Sequence, residues 1–133
     1  MNEMKLQILT PEKQVVDKTV DSVYLEGSQG RLGILPGHTT LIAKLDFGVL
    51  EMDTGSGKES ILCGNGLVEV VDEQVTVLVR SAERGGDIDV ERAKAALNRA
   101  RSRRDSNDHD VDLTRAEAAL YRAIQRLSFA GAM

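Results

Sequence analysis

At Gly85-Gly86 the spacing of apolar residues changes from every second position to every third or fourth, so one chain carries two incompatible folding instructions. Before that point the text reads as short strands separated by turn residues. Lys5 to Thr10 alternates, with Leu6 and Ile8 on one face and Lys5 and Gln7 on the other. Further runs are Thr19–Leu25, Arg31–Leu35, Thr40–Lys44, Val49–Met52, Ser60–Cys63, Leu67–Val71 and Gln74–Arg80. Between them stand Pro11-Glu12-Lys13, Gly27-Ser28-Gln29-Gly30, Pro36-Gly37, Asp46-Phe47-Gly48, Asp53 to Gly57, Gly64-Asn65-Gly66 and Asp72-Glu73. Many short strands with Gly-rich turns predict a sandwich or flattened barrel, because only a closed or double sheet hides so many edges.

After Gly86 the period is helical. Asp89 is placed to cap a helix whose apolar positions are Val90, Ala93, Ala96, Leu97 and Ala100. The polar stretch Arg104 to Asp110 should end it near Arg103. Asp112 then caps a second helix carrying Leu113, Ala116, Leu120, Ala123, Ile124 and Leu127 on one face. A short connection makes the two helices an antiparallel pair. The expected class is therefore α+β, mainly β, with a β-sandwich over residues 1–84 and a two-helix hairpin over 87–133. The facing stripes are mostly alanine, which bury little area, so the arm should be held weakly and be able to move.

Composition narrows the function. Aromatic residues make up only 3% of the chain, so the core must come from Val, Ile, Leu and Ala. Seventeen basic and twenty-one acidic side chains give −4, which argues against a nucleic-acid partner for the whole chain. The one cysteine, Cys63, sits in an apolar run and is expected to be a buried, inert thiol. No stretch approaches the ~18 consecutive apolar residues of a membrane span, and the N-terminus lacks the apolar core of a signal peptide. The two histidines and one cysteine form no nucleophile–base pair or metal cluster by spacing, so no catalytic residue, metal or catalytic cofactor is expected. Gly55-Ser56-Gly57-Lys58-Glu59-Ser60 imitates a phosphate-binding loop, but Met52 stands where the first Gly belongs and Glu59 where Ser or Thr must follow the Lys. The segment should be a hairpin turn.

Chemistry is concentrated in the arginines. Eight of the eleven lie between Arg92 and Arg126. Arg92, Arg99 and Arg103 are spaced seven and then four apart, and Arg115, Arg122 and Arg126 repeat that spacing. Each set shares one helix face. Two readings stand. The rows are a solvated face with Glu117 and the loop aspartates as loose partners, or they are forked donors for phosphate. Glu83, Asp89 and Glu91 near the start of the first helix serve the helix dipole, yet carboxylates there could also accept from an adenine amino group or a ribose hydroxyl.

Gly30-Arg31-Leu32-Gly33-Ile34-Leu35-Pro36-Gly37-His38, with Gly66-Leu67-Val68-Glu69-Val70 later and Leu6-Gln7-Ile8-Leu9-Thr10-Pro11 at the start, resembles the ε subunit family of the F-type ATP synthase. The resemblance runs the length of the chain. It implies a ten-stranded β-sandwich docking domain and a helical-hairpin regulatory domain, in a rotor subunit that does no chemistry itself. Implied partners are the γ subunit, the c-ring and the catalytic α/β head, with no membrane insertion. The implied location is the cytoplasmic face of the bacterial cell membrane, peripheral through the complex. The hairpin is expected to extend into the head and block ATP hydrolysis. Some bacterial members bind ATP on the folded hairpin through an Ile/Leu-Asp-x-x-Arg-Ala motif, matched here by Ile88, Asp89, Arg92 and Ala93, with Glu83, Arg99, Arg122 and Arg126 as further ATP-binding positions. ATP is thus implied as a regulatory ligand, with magnesium left open. The alternative is a purely structural coupling subunit. Arg31 and His38 are implied as partner contacts, Arg31 standing where many relatives carry an acidic residue. His109 reads as a solvated loop residue.

Overall fold

The computed structural model describes residues 3–133, which divide into two compact units at Arg84/Gly85. The first holds ten strands: β1 (Met4–Leu9), β2 (Gln14–Val20), β3 (Ser22–Gly27), β4 (Gly30–Ile34), β5 (Leu41–Leu45), β6 (Gly48–Asp53), β7 (Lys58–Cys63), β8 (Gly66–Val71), β9 (Gln74–Val79) and β10 (Ala82–Glu83). They form one sheet in the order β10-β7-β6-β3-β5-β8-β9-β1-β2, with β4 hairpinned onto β3. Every pairing is antiparallel except β1 with β9, which run parallel from Lys5↔Gln74 to Leu9↔Leu78. The sheet folds on itself into the expected sandwich around Leu6, Ile8, Val20, Val23, Ile34, Leu50, Ile61, Val68 and Val77.

The alternation explains most strands. β1 buries Met4, Leu6 and Ile8 and turns Lys5 outward; β8 buries Val68 and Val70 between Leu67, Glu69 and Val71. One expected run is corrected. Thr19–Leu25 is not a single strand but the end of β2 and the start of β3, broken at Asp21, whose N–H donates to the Asp53 carbonyl at 2.7 Å. Val20 and Val23 are both fully buried, although an odd separation on a continuous strand would put them on opposite faces. The break restores the phase. Two strands lay outside the expected runs: most of β2, and β10, a two-residue edge pairing Ala82 with Cys63 and Glu83 with Leu62. The segment that imitates a phosphate loop is the β6–β7 hairpin turn, closed by the Thr54 N–H to the Gly57 carbonyl. Gly66 is the tightest position in the sheet: a Cβ there would lie 1.9 Å from the Leu78 carbonyl oxygen.

The second unit begins with a single 3-10 turn at Gly85–Asp87, followed by α1 (Val90–Arg104) and α2 (Leu113–Phe129). Both helices start on aspartate caps: Asp89 accepts from the Arg92 N–H at 3.0 Å and Asp112 from the Arg115 N–H at 3.1 Å. α2 ends at Gly131, φ +74, where the Ala132 N–H reaches back to the Leu127 carbonyl, the six-to-one bond of a glycine-terminated helix. Ala93, Leu97 and Ala100 pack against Leu120, Ala123 and Leu127. Leu113 departs from its expected place in this seam; it is 51% exposed. As the first residue of α2 it stands beyond Ala100, the last buried residue of α1, with no apolar layer opposite.

Candidate functional site

The arginine rows sit beside the seam in a regular way. Arg92 immediately precedes buried Ala93 and Arg99 precedes buried Ala100; on α2, Arg115 precedes Ala116, Arg122 precedes Ala123 and Arg126 precedes Leu127. One residue is a rotation of ~100° about the helix axis. Both rows are therefore displaced from the seam by the same angle in the same sense. The helices are antiparallel, since a Cβ at Gly85 would lie 3.6 Å from the Phe129 carbonyl oxygen while Arg103 shares a groove with Arg115. Viewed along a common axis, equal rotations on antiparallel helices point to the same side of the pair. Both rows face one way.

A groove of about 570 Å³ shows the result at one end of the hairpin. Its walls include Arg103 from α1, Arg115 and Arg122 from α2, and Asp110, Val111 and Asp112 from the connection. Of the expected ATP-binding residues only Arg122 lines it. Arg92 and Arg99 lie on α1 toward the motif end and are exposed; Arg126 is half-buried near the end of α2. Asp89 is exposed, with one carboxylate oxygen engaged by its own helix, and Ile88 and Ala93 are buried. Glu83 belongs to β10, in the other unit. Arg103 and Arg115 stand outside the motif; their signal in the sequence is the seven-then-four spacing that puts each on the same helix face as its neighbours. Arg101 and Arg104 lie off the row, and Arg104 bonds Asp105 at 3.0 Å, which raises its already high pKa. Two rows of like charge, exposed at Arg92, Arg99, Arg103 and Arg115 and half-buried at Arg122 and Arg126, flank an Ala/Leu seam and can receive a polyanion lying lengthwise.

On the sandwich, the two expected partner contacts are both engaged. Arg31 on β4 bridges the carboxylates of Glu26 and Glu51 and lies 5.8 Å over the Tyr24 ring. Its charge is matched locally, so the patch presents an aromatic ring and a surplus carboxylate rather than a lone cation. His38 is half-buried after the Pro36-Gly37 turn, with Nδ1 at 2.8 Å from the Thr39 carbonyl. A carbonyl only accepts, so Nδ1 carries a proton, and in the neutral ring Nε2 is then the acceptor. Cys63 is buried in the core, and loss of water there pushes its thiol up to about 12, which makes it inert as expected. Among the described residues no cluster of His, Cys, Asp and Glu could hold a metal ion, and no helix is long and apolar enough to cross a membrane.

A folded-over ten-stranded sheet followed by an arginine-faced hairpin defines a two-unit chain of β-sandwich and helical-hairpin type. Residues 3–85 match the family described as the ATP synthase delta/epsilon chain beta-sandwich domain, and residues 87–131 match the long alpha-helix domain of the same chain. The chain belongs to the ATP synthase delta/epsilon chain family. Similar relatives are the ATP synthase epsilon chains of Carboxydothermus hydrogenoformans, 45% identical over 77% of this chain and 76% of that one, and of Anoxybacillus flavithermus, 41% identical over 77% of each. In fold the chain is similar to one from the cryo-EM structure of the Euglena gracilis mitochondrial ATP synthase, with a TM-score of 0.82 and 24% identity, covering 96% of this chain and 81% of that one.

Proposed function

We propose that the chain serves as the ε subunit of a bacterial F-type ATP synthase. It is a non-catalytic rotor subunit, docked through its sandwich to γ and the c-ring at the cytoplasmic face of the membrane. Its hairpin restrains ATP hydrolysis when extended toward the α/β head and is held folded by ATP. Membership of the family and the relatives' names support the first part. The observation that carries the second is the common side of the two arginine rows.

The physical logic is linkage. Paired rows of guanidinium groups repel, and a triphosphate between them removes that repulsion while adding charge-assisted bonds worth ~1.5–3 kcal/mol each. A ligand confined to the folded hairpin stabilises it by about 2.7 kcal/mol at a hundredfold excess over Kd. In this reading Arg92, Arg99, Arg122 and Arg126 hold the phosphates. Asp89 accepts from the nucleoside, and Ile88 and Ala93 provide the apolar floor. High ATP keeps the arm down; low ATP releases it. The test is equilibrium dialysis of ATP against the isolated chain and its Arg122→Ala/Arg126→Ala variant. A loss of about a hundredfold is expected. Equal binding by both proteins, or none by either, would leave a coupling subunit whose arginines meet only protein.

A further inference from the structure

Gly37 and Glu73 are 36 residues apart in the chain, yet the Gly37 N–H donates to Glu73 Oε1 at 2.7 Å. The two ends of this bond are both turns. Leu35 to His38 closes with the His38 N–H on the Leu35 carbonyl at 3.0 Å, Pro36 in second place and Gly37 at φ +86 in third. That is a type II turn, in which the third residue's N–H has no partner inside the turn. Asp72 and Glu73 form the two-residue β8–β9 connection at φ +45 and +65, closed by the Val71↔Gln74 pair. Such a turn favours Gly at its second position.

Glu73 is therefore an expensive choice. It holds a left-handed backbone that disfavours a Cβ, and its second oxygen, Oε2, is shut away from solvent with no hydrogen-bond partner among the described residues. Both features weaken the native state on their own account. What the side chain supplies is the acceptor that the Gly37 N–H lacks, from a residue itself anchored by the Lys5 N–H on its carbonyl at 2.9 Å. An observed backbone outlier that serves one contact points to function.

We propose that Glu73 is a positioning residue. Its carboxylate fixes the Leu35–His38 turn, and this aims the His38 ring, whose Nδ1–H is tied to Thr39, so that Nε2 accepts from an N–H or O–H donor on the docked protein. The proposal rests on His38 being a partner contact and on γ as the partner.

Three single variants of the chain and one double variant test it, read by amide hydrogen exchange at Gly37, by urea unfolding and by association with γ. Glu73→Gly removes the acceptor and relieves the backbone. Gly37 exchange should rise about tenfold, unfolding stability should hold or increase, and association should weaken at least about threefold. Glu73→Gln keeps an acceptor oxygen and should restore both exchange and association. His38→Ala should weaken association as Glu73→Gly does, with no further loss in the double variant. Unchanged Gly37 exchange in Glu73→Gly would overturn the clamp. Faster exchange with His38→Ala defective and Glu73→Gly normal in association would overturn the link from clamp to docking. Normal association in both variants would instead remove the His38 contact on which the proposal rests.

Discussion

The Lys18 ammonium on β2 lies 2.7 Å from both carboxylate oxygens of Glu59 on β7. β2 ends the sheet order at one side and β7 is next to last at the other, so this pair joins the two margins of a sheet that has folded over. Both side chains remain more than a third exposed. Exposed pairs contribute ~0–1 kcal/mol. Lys18→Met should accordingly cost no more than that by urea denaturation, and the cost should shrink in high salt. Closure of the sheet rests on its apolar interior.

Gly66→Ala should be severe. The added methyl would meet the Leu78 carbonyl at 1.9 Å and the Val79 Cα at 2.8 Å, both backbone atoms that cannot step aside without parting β8 from β9. A loss of about 3 kcal/mol or more is expected, in the range of overpacking within a closed core. Gly86→Ala is the control: nothing lies within 4 Å of the new Cβ. It should be neutral or stabilising by up to ~1 kcal/mol.

Cys63 gives the sandwich an alkaline limit. Burial pushes its thiol from 9.0 up to about 12. The folded pKa exceeds the unfolded one, so the associated stability is complete below about pH 9 and is lost as pH climbs toward 12. The slope in that window is ~1.4 kcal/mol per pH unit. Cys63→Ala should be less stable at neutral pH but flatter above pH 9 in urea unfolding. Native protein should resist thiol alkylation at pH 8 and react once unfolded.

Asp89 has two separable roles. Its cap on the Arg92 N–H should be kept by Asn and lost with Ala, the Ala variant costing the hairpin ~1 kcal/mol in thermal melts. Recognition of a nucleoside by the carboxylate would fail in both. Asp89→Asn should therefore melt like the parent while binding ATP at least about tenfold more weakly by calorimetry. Equal weakness of cap and ligand across the two variants would reduce Asp89 to a cap.

Particular residues show where sequence reasoning reached and where it stopped. Asp89 and Asp112 were legible as caps because capping is decided within three residues. Gly64-Asn65-Gly66 and Asp72-Glu73 were legible as breaks for the same reason. The Asp21 break was present in the text as the odd interval between Val20 and Val23, but β-branched residues on both sides disguised it. Leu113 fitted the helical stripe perfectly and still faces water, because the stripe specifies a direction and not what stands opposite. Arg31 announced a charge; only the folded sheet brought Glu26 and Glu51 to it. β10 was illegible, since two residues carry no period.

By itself the chain's order of residues determined the change from sheet to helix at Gly85-Gly86, the starts of both helices, the end of the first and the seven-then-four spacing of the arginines. Those are properties of neighbours a few bonds apart, where propensity and periodicity act without regard to the rest. Tertiary structure alone decided the parallel meeting of β1 with β9, the side to which both arginine rows turn, and the reach of Glu73 to Gly37. Each depends on which distant surfaces the burial of Val, Ile, Leu and Ala brings together. Local spacing encodes which way a side chain points but not whom it meets.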